Sequence, residues 1–359
     1  MNTDIFEDLF VLELANNHWG RLDRGLKIIS DYGKIVRFNN VRAAIKLQFR
    51  DVDSFIHKDF VGRTDIRYIQ KTLDTKVSKS DYMAMVQAVK KNSCVTMATP
   101  FDESSVDLCS ELGVQIIKIA SSDLNDWFLI EKIAKAKKPV IVSTGGSSLK
   151  DIDDLVTFFE NRNLPLAINH CVSLYPTDYR LLELNQIDFL KKRYPNHVIG
   201  FSTHESCDLN DSMMIAYAKG ARTFERHIDI EMDDVPVSPY CSLPGSVDRW
   251  FKSFHKAKEM CGAGSDLKRT PPESEVCYLD ALVRGVYAKR DLPEGHILSD
   301  DDVYLAVPLQ KGQISCRELM SGEVLVKPLV KDAPILIDAI DSPYAMNPDL
   351  LNLIYNRGL

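Results

Sequence analysis

Residues 139–160 read Pro-Val-Ile-Val-Ser-Thr-Gly-Gly-Ser-Ser-Leu-Lys-Asp-Ile-Asp-Asp-Leu-Val-Thr-Phe-Phe-Glu. The stretch opens with a short apolar run, Pro139–Ser143, of the kind that forms a buried parallel strand. It closes with helical spacing, since Ile152, Leu155, Val156 and Phe159 share one side of Leu149–Glu160. Ser148 stands just before that segment as an N-cap. Between them, Ser143-Thr144-Gly145-Gly146 make a polar strand end. The segment is one strand–helix unit. Seven more apolar runs repeat it along the first ~260 residues. They are Phe10–Leu14, Ala43–Phe49, Cys94–Ala98, Gln115–Ala120, Leu166–Cys171, Val198–Phe201 and Thr223–Ile228. Asp81–Asn92 has helical spacing too, with Met83, Met85, Val86 and Val89 read as one side. Eight units in that length predict an α/β fold, a (β/α)8 TIM barrel, over residues 1–264. A doubly wound sheet is the alternative, but no GxGxxG follows the first strand.

The texture changes at Ser265. Lys268, Arg269, Pro271, Pro272, Glu273 and Glu275 predict an exposed linker over 265–281. Short β-like pieces broken by Pro293-Glu294-Gly295, Ser321-Gly322 and Ala333-Pro334 then predict a small, mainly-β domain over 282–340. Residues 341–359 form a tail without a clear pattern.

Composition bounds the function. The chain has 359 residues, with 45% hydrophobic and 26% charged, so disorder throughout is excluded. A net charge of -7 argues against a nucleic-acid partner. No apolar run approaches the ~20 residues of a membrane span, and the acidic start has no signal-peptide pattern. The eight cysteines, Cys94, Cys109, Cys171, Cys207, Cys241, Cys261, Cys277 and Cys316, include no CxxC pair. They read as reduced, mainly buried thiols of a cytoplasmic protein.

Barrels of this class place their chemistry where strands end and loops begin. Glu13, Lys46, Gln48, Thr99, Lys118, Ser121, Ser143, Ser173, Tyr175, Ser202, His204, Glu225 and His227 all fall there. A lysine inside an apolar strand needs a compensating anion. Lys46 and Lys118, beside the hydroxyls of Thr99, Ser121, Ser143 and Ser202, suggest an anion site. Pairing with Glu13 or Glu225 is the alternative. His204 and His227, ending adjacent strands, could hold Mn, Fe, Co or Zn, or be hydrogen-bonded structural residues. His18 and His170 are further candidates; His57, His197, His255 and His296 read as surface residues.

Several of these segments carry a resemblance. Leu12-Glu13-Leu14-Ala15-Asn16-Asn17-His18, Ala44-Ile45-Lys46-Leu47-Gln48 and Ala98-Thr99-Pro100-Phe101 resemble the bacterial sialic acid synthase family. So do Tyr175-Pro176-Thr177, Gly200-Phe201-Ser202-Thr203-His204 and Glu225-Arg226-His227. Tyr287-Ala288-Lys289-Arg290-Asp291-Leu292 and Gly322-Glu323-Val324-Leu325 resemble the antifreeze-like (SAF) domain that ends these synthases. The resemblance implies condensation of phosphoenolpyruvate with the open-chain aldehyde of an N-acylated hexosamine, giving a nonulosonic acid and phosphate. It implies a divalent ion on His204 and His227, manganese first, with cobalt or magnesium as alternatives. It implies phosphoenolpyruvate on Lys46 and Lys118 with Thr99, Ser121 and Ser202. Glu13 would position the aldehyde or handle protons, and Ser173 and Tyr175 would line the pocket. Gln48, Ser143 and Glu225 are expected in the same substrate site. The family's second domain reaches over the partner's barrel, so a domain-swapped homodimer is implied. Another phosphoenolpyruvate–aldose synthase, or a non-catalytic sugar-acid-binding relative, is the alternative.

The sequence also departs from the family pattern. Thr203 stands for an aspartate, Asp123 for a glutamate, Ser173 for an asparagine, Ser238 for an aspartate and Val307 for an arginine. The phosphoenolpyruvate side is kept and the sugar side altered. A modified acceptor, for example a deoxy or differently N-substituted hexose, is therefore expected in place of plain N-acetylmannosamine.

Overall fold

Eight parallel strands close on themselves in chain order, β1 pairing with both β2 and β8. They are β1 Leu9–Ala15, β2 Arg42–Phe49, β3 Val95–Pro100, β4 Ile116–Ile119, β5 Val140–Ser143, β6 Leu166–Cys171, β7 Val198–Thr203 and β8 Thr223–His227. Each coincides with one of the eight apolar runs to within about two residues. The architecture comes from a computed structural model that describes residues 3–206, 209–232, 235–264, 267–318 and 322–359. Two compact units emerge, Met1–Gly262 and Ala263–Leu359.

The strand period of two sorts the barrel's side chains. Phe10, Leu12, Ile45, Leu47, Ile117, Val142, Ile168, Ile199 and Phe224 face the helices and join the main core. Leu9, Val11, Ala44, Met97, Ile116, Ile141 and Ala167 form a separate apolar layer inside the barrel, with Phe6 packed against it. Two residues further along each strand, the same inward register delivers Glu13, Lys46, Thr99, Lys118, Ser143 and Asn169. The apolar layer thus seals one end, and polar groups occupy the carboxyl end.

Local chemistry sets the helices. Ser148 accepts from the Asp151 amide, and Asp151 accepts from Ser148 in return, a complete capping box for the helix Leu149–Glu160. Ser78 and Asp81 make the same box for the helix Lys79–Lys91. That helix buries Tyr82, Met85, Val86 and Val89, whereas Met83 is 41% exposed. Spacings of three and four from Tyr82 put Tyr82 on the core face and turn Met83 about 100° away.

Arg24, on the helix Leu22–Phe38, fastens the loop after β8. Its buried guanidinium donates to Asp229 at 2.6 Å and to the carbonyls of Asn17, Ile230 and Met232 at 2.7, 2.9 and 2.9 Å. Removing one partner of a buried ion pair costs about 3–5 kcal/mol. Arg24→Ala is therefore expected to lower stability by about that amount. Chemical denaturation of both proteins checks this, and a change under about 1 kcal/mol would count against it.

The second unit is turn-rich, as expected. β9 Gly285–Ala288 pairs antiparallel with β10 Val303–Ala306, and β11 Val324–Leu325 pairs with β12 Ile340–Asp341. Val286, Leu292, Ile314 and Ile335 lead its core. The segment 265–281 contains an exposed helix, Glu273–Asp280. The final residues are built in: the helix Pro348–Asn356 buries Ile354 in this core, and buried Arg357 donates to Glu318 at 2.6 Å. Among the described cysteines all are free; Cys94, Cys109, Cys171 and Cys241 are buried and Cys261, Cys277 and Cys316 exposed. Cys207 lies outside the described residues. Among the described residues no helix is long and apolar enough to cross a membrane.

Candidate active site

Lys46 stands at the centre of the polar end of the barrel. The register puts Glu13 beside Lys46 on one flank and beside His227 on the other. The Lys46 ammonium ion-pairs with Glu13 and donates to Glu225 at 2.8 Å. Lys118 donates to the Ser143 hydroxyl at 2.6 Å and the Ile119 carbonyl at 3.1 Å, with Glu225 at 3.9 Å. Two ammonium groups and two carboxylates thus form one buried ionic floor. The carboxylate-pairing alternative describes Lys46 in this structure. Lys118 keeps a looser contact and bonds chiefly to neutral oxygens.

Burial pushes the Lys46 ammonium down to about 8, with Glu225 pulling the other way. Burial alone would raise the Glu225 carboxyl; Lys118 and then Lys46 outweigh it and hold the group below its usual range. Lys46 and Glu225 are both charged near pH 7. Around them, Gln48 donates to Glu13 at 3.1 Å. Thr99 is buried with no hydrogen-bond partner for its hydroxyl among the described residues, and Ser202 is buried beside Glu225 in the register. Ser121 accepts from the Gly145 amide at 3.1 Å. A β-carbon on Gly145 would stand 2.1 Å from the Ser173 hydroxyl and 3.0 Å from that of Ser121, so the site's edge requires glycine there.

His204 and His227 meet above the floor, their ring centroids 5.3 Å apart. Nδ1 of His204 lies 3.0 Å from the Val172 carbonyl, which fixes the proton there and leaves Nε2 with a lone pair. Burial lowers His204 to about 4. Burial, then the neighbouring His204, lowers His227 well below the usual imidazole value. Both rings are neutral at pH 7. Tyr175 lies 4.2 Å from His204 between centroids, and Tyr240 lies 5.2 Å from both His227 and Tyr175. Two neutral imidazoles at this separation fit one divalent ion, each ligating nitrogen needing to lie about 2 Å from it. Among the described residues no third His, Cys, Asp or Glu joins them. Water and substrate oxygens would complete the coordination.

The thirteen strand-end residues from Glu13 to His227 reach this end of the barrel, but two secondary readings change. His170 points out of the barrel, stacks on Phe201 and bonds the Leu182 carbonyl at 2.6 Å. Its neighbour Asn169 takes the inward place instead and accepts from Thr223 at 2.5 Å. The strand alternation at Ile168-Asn169-His170 carries that signal. His197 is not a surface residue: its side chain is 3% exposed and bonds Leu166 and Glu160. Arg50, at the end of β2, and Lys71, on the helix Arg67–Asp74, escaped the sequence reading. Asp233 and Asp234, which could restore a carboxylate near Ser238, lie outside the described residues.

Fold and site define a barrel enzyme that handles charged substrates at the carboxyl ends of its strands. Residues 39–265 match the NeuB family and residues 283–341 the SAF domain. The chain belongs to the NeuB family. It is 30% identical to N-acetylneuraminate-9-phosphate synthase of Drosophila melanogaster, over 92% of this chain and 95% of that one. It is 26% identical to N,N'-diacetyllegionaminic acid synthase of Campylobacter jejuni, over 90% and 97%. Spore coat polysaccharide biosynthesis protein E of Chromobacterium violaceum has a similar crystal structure, with a TM-score of 0.88 and 36% identity, over 94% of this chain and 100% of that one.

Proposed function

We propose that this protein condenses phosphoenolpyruvate with the open-chain aldehyde of an N-acylated hexosamine, releasing a nonulosonic acid and inorganic phosphate. The observation that carries the reading is the ionic floor of Glu13, Lys46, Lys118 and Glu225 beneath two neutral imidazoles, in a NeuB family barrel. Lys118 and Lys46 hold the phosphoenolpyruvate anion, with the Thr99, Ser121, Ser143 and Ser202 hydroxyls as donors. Asn169 offers the same anion a buried amide nitrogen that has no partner among the described residues. Carbon 3 of phosphoenolpyruvate bonds to the aldehyde carbon, whose oxygen takes up a proton. Water adds at carbon 2, and loss of phosphate from that carbon leaves the ketone. Glu13, linked to Lys46 and Gln48, holds the aldehyde or passes the water's proton. A divalent ion on His204 and His227, manganese by preference, would supply Lewis-acid polarisation of the aldehyde oxygen.

The acceptor is a modified relative of N-acetylmannosamine. Ser238 and Val307, the latter 60% exposed, support this by standing where the family places charged residues. The resemblance supports a homodimer with exchanged second domains, for which light scattering should give twice the chain mass. Free thiols suit a reducing cytoplasm. The reading is tested by phosphate release from phosphoenolpyruvate with a panel of N-acylated hexosamines and by the mass of the product. Release is expected only when both substrates are present.

Binding through Lys46 has a pH signature. The ammonium is charged below about 8 and neutral above it. Affinity for phosphoenolpyruvate is therefore expected to hold from pH 6.5 to 7.5 and to fall as pH rises past about 8, approaching tenfold per unit. A profile of kcat/KM for phosphoenolpyruvate that stays flat to pH 9.5 would contradict it.

A further inference from the structure

Inward side chains from alternate strands fill a barrel of this kind in layers of four. The register closes one such layer at the floor, from Lys46 on β2, Lys118 on β4, Asn169 on β6 and Glu225 on β8. Three of these side chains are ionisable. Asn169 is the neutral one, and it is fully buried. Its backbone carbonyl accepts from the Thr144 amide at 3.1 Å and the Thr144 hydroxyl at 3.2 Å, which ties the main chain to the end of β5. Its side-chain oxygen accepts from the Thr223 hydroxyl at 2.5 Å. Its side-chain nitrogen is buried with no hydrogen-bond partner among the described residues.

Thr223 opens β8 two residues before Glu225, so it shares the inward face one layer below the floor. It too is fully buried. β7 runs between Asn169 and Thr223, and Gly200 pairs in register with both. A β-carbon on Gly200 would stand 1.8 Å from the Thr223 hydroxyl and 2.2 Å from the Asn169 side-chain oxygen. Glycine there lets side chains of β6 and β8 meet across the strand that separates them.

The hydroxyl takes the oxygen end of the amide from below, so the nitrogen end is left for the floor. A buried N–H without an acceptor costs its lost hydration, and a ligand that brings an acceptor explains its presence. The lysines of the floor already face carboxylates: Lys46 meets Glu13 and Glu225, and Lys118 lies 3.9 Å from Glu225. At Asn169 an oxyanion finds a donor with no internal acceptor to displace.

We propose that Thr223 is a positioning residue for phosphoenolpyruvate: its hydroxyl, reaching past Gly200, holds the Asn169 amide with its nitrogen toward the anion. The inference rests on the synthase reading above and deepens it by naming what aims a donor in the anion site.

Thr223→Val keeps the side chain's shape and removes the hydroxyl. In the full-length protein it is expected to weaken phosphoenolpyruvate binding, read by calorimetric titration, by at least about fivefold. KM for phosphoenolpyruvate should rise by the same factor, with KM for the acceptor within twofold. Thr223→Ser returns the hydroxyl and should recover most of the affinity. Asn169→Leu removes the donor itself and should cost at least about tenfold. Because Thr223 acts through Asn169, adding Thr223→Val to Asn169→Leu should cost little more, whereas two independent structural losses would add. Melting curves verify folding. The double variant buries no unpaired polar group, so it carries the measurement where a single variant fails to fold. Unchanged affinity in a folded Thr223→Val protein, full additivity in the double variant, or unchanged affinity in the double variant overturns the inference alone. An unmodified protein that neither binds phosphoenolpyruvate nor releases phosphate with any acceptor overturns the synthase reading and this inference with it.

Discussion

Replacing His227 by alanine is expected to lower turnover by at least about a hundredfold and to abolish binding of the divalent ion proposed to sit on His204 and His227. Loss of groups that only orient a metal ligand costs 10–100-fold, and loss of the ligand itself costs more. His227 and His204 are the two imidazoles at the barrel mouth, and no third His, Cys, Asp or Glu joins them among the described residues. With so few protein ligands, removal of one would leave a bound ion on a single nitrogen. Both rings are already neutral at pH 7, so protons compete little with the metal. Chelation should abolish turnover of the unmodified protein, and added manganese or cobalt should restore it. Metal content by mass spectrometry accompanies the assay. Full activity and normal metal content in His227→Ala would remove the idea.

The second large effect concerns Lys118, which is 2% exposed and donates to Ser143. A hydrogen bond to a charged group contributes about 1.5–3 kcal/mol, or roughly 10- to 150-fold in affinity. Lys118→Ala is expected to weaken phosphoenolpyruvate binding by at least tenfold. Two effects add: the donor is lost, and Glu225 loses the foremost of the charges that hold its carboxyl low, so the floor turns acidic. Calorimetric titration with phosphoenolpyruvate, alongside a melting curve to verify folding, measures it. Unchanged affinity in a folded variant would show that the anion binds elsewhere.

The barrel was legible because each strand is a short apolar run and each helix states its own start. Ser148 and Asp151 cap one helix through contacts three residues apart, so local spacing determined that boundary. The list of strand-end polar residues followed from the same regularity, as did the two histidines. Glu13 and Glu225 were offered as partners for the lysines, but the choice between them and a bound anion was not legible. Lys46 meets Glu225 across 179 residues of chain, and only closure of β8 onto β1 brings them together. His170 was a candidate by type; the pleat turned it outward and put Asn169 in its place. Arg50 escaped the sequence reading; its contacts with Phe101 and Gln48 exist only in the folded barrel. Sequence alone determined the strands and the barrel, because periodicity and capping act within a few residues, and its motifs carried the family resemblance. Tertiary structure decided which charges cancel and which stay unmatched, because pairing depends on distances that only the closed barrel sets.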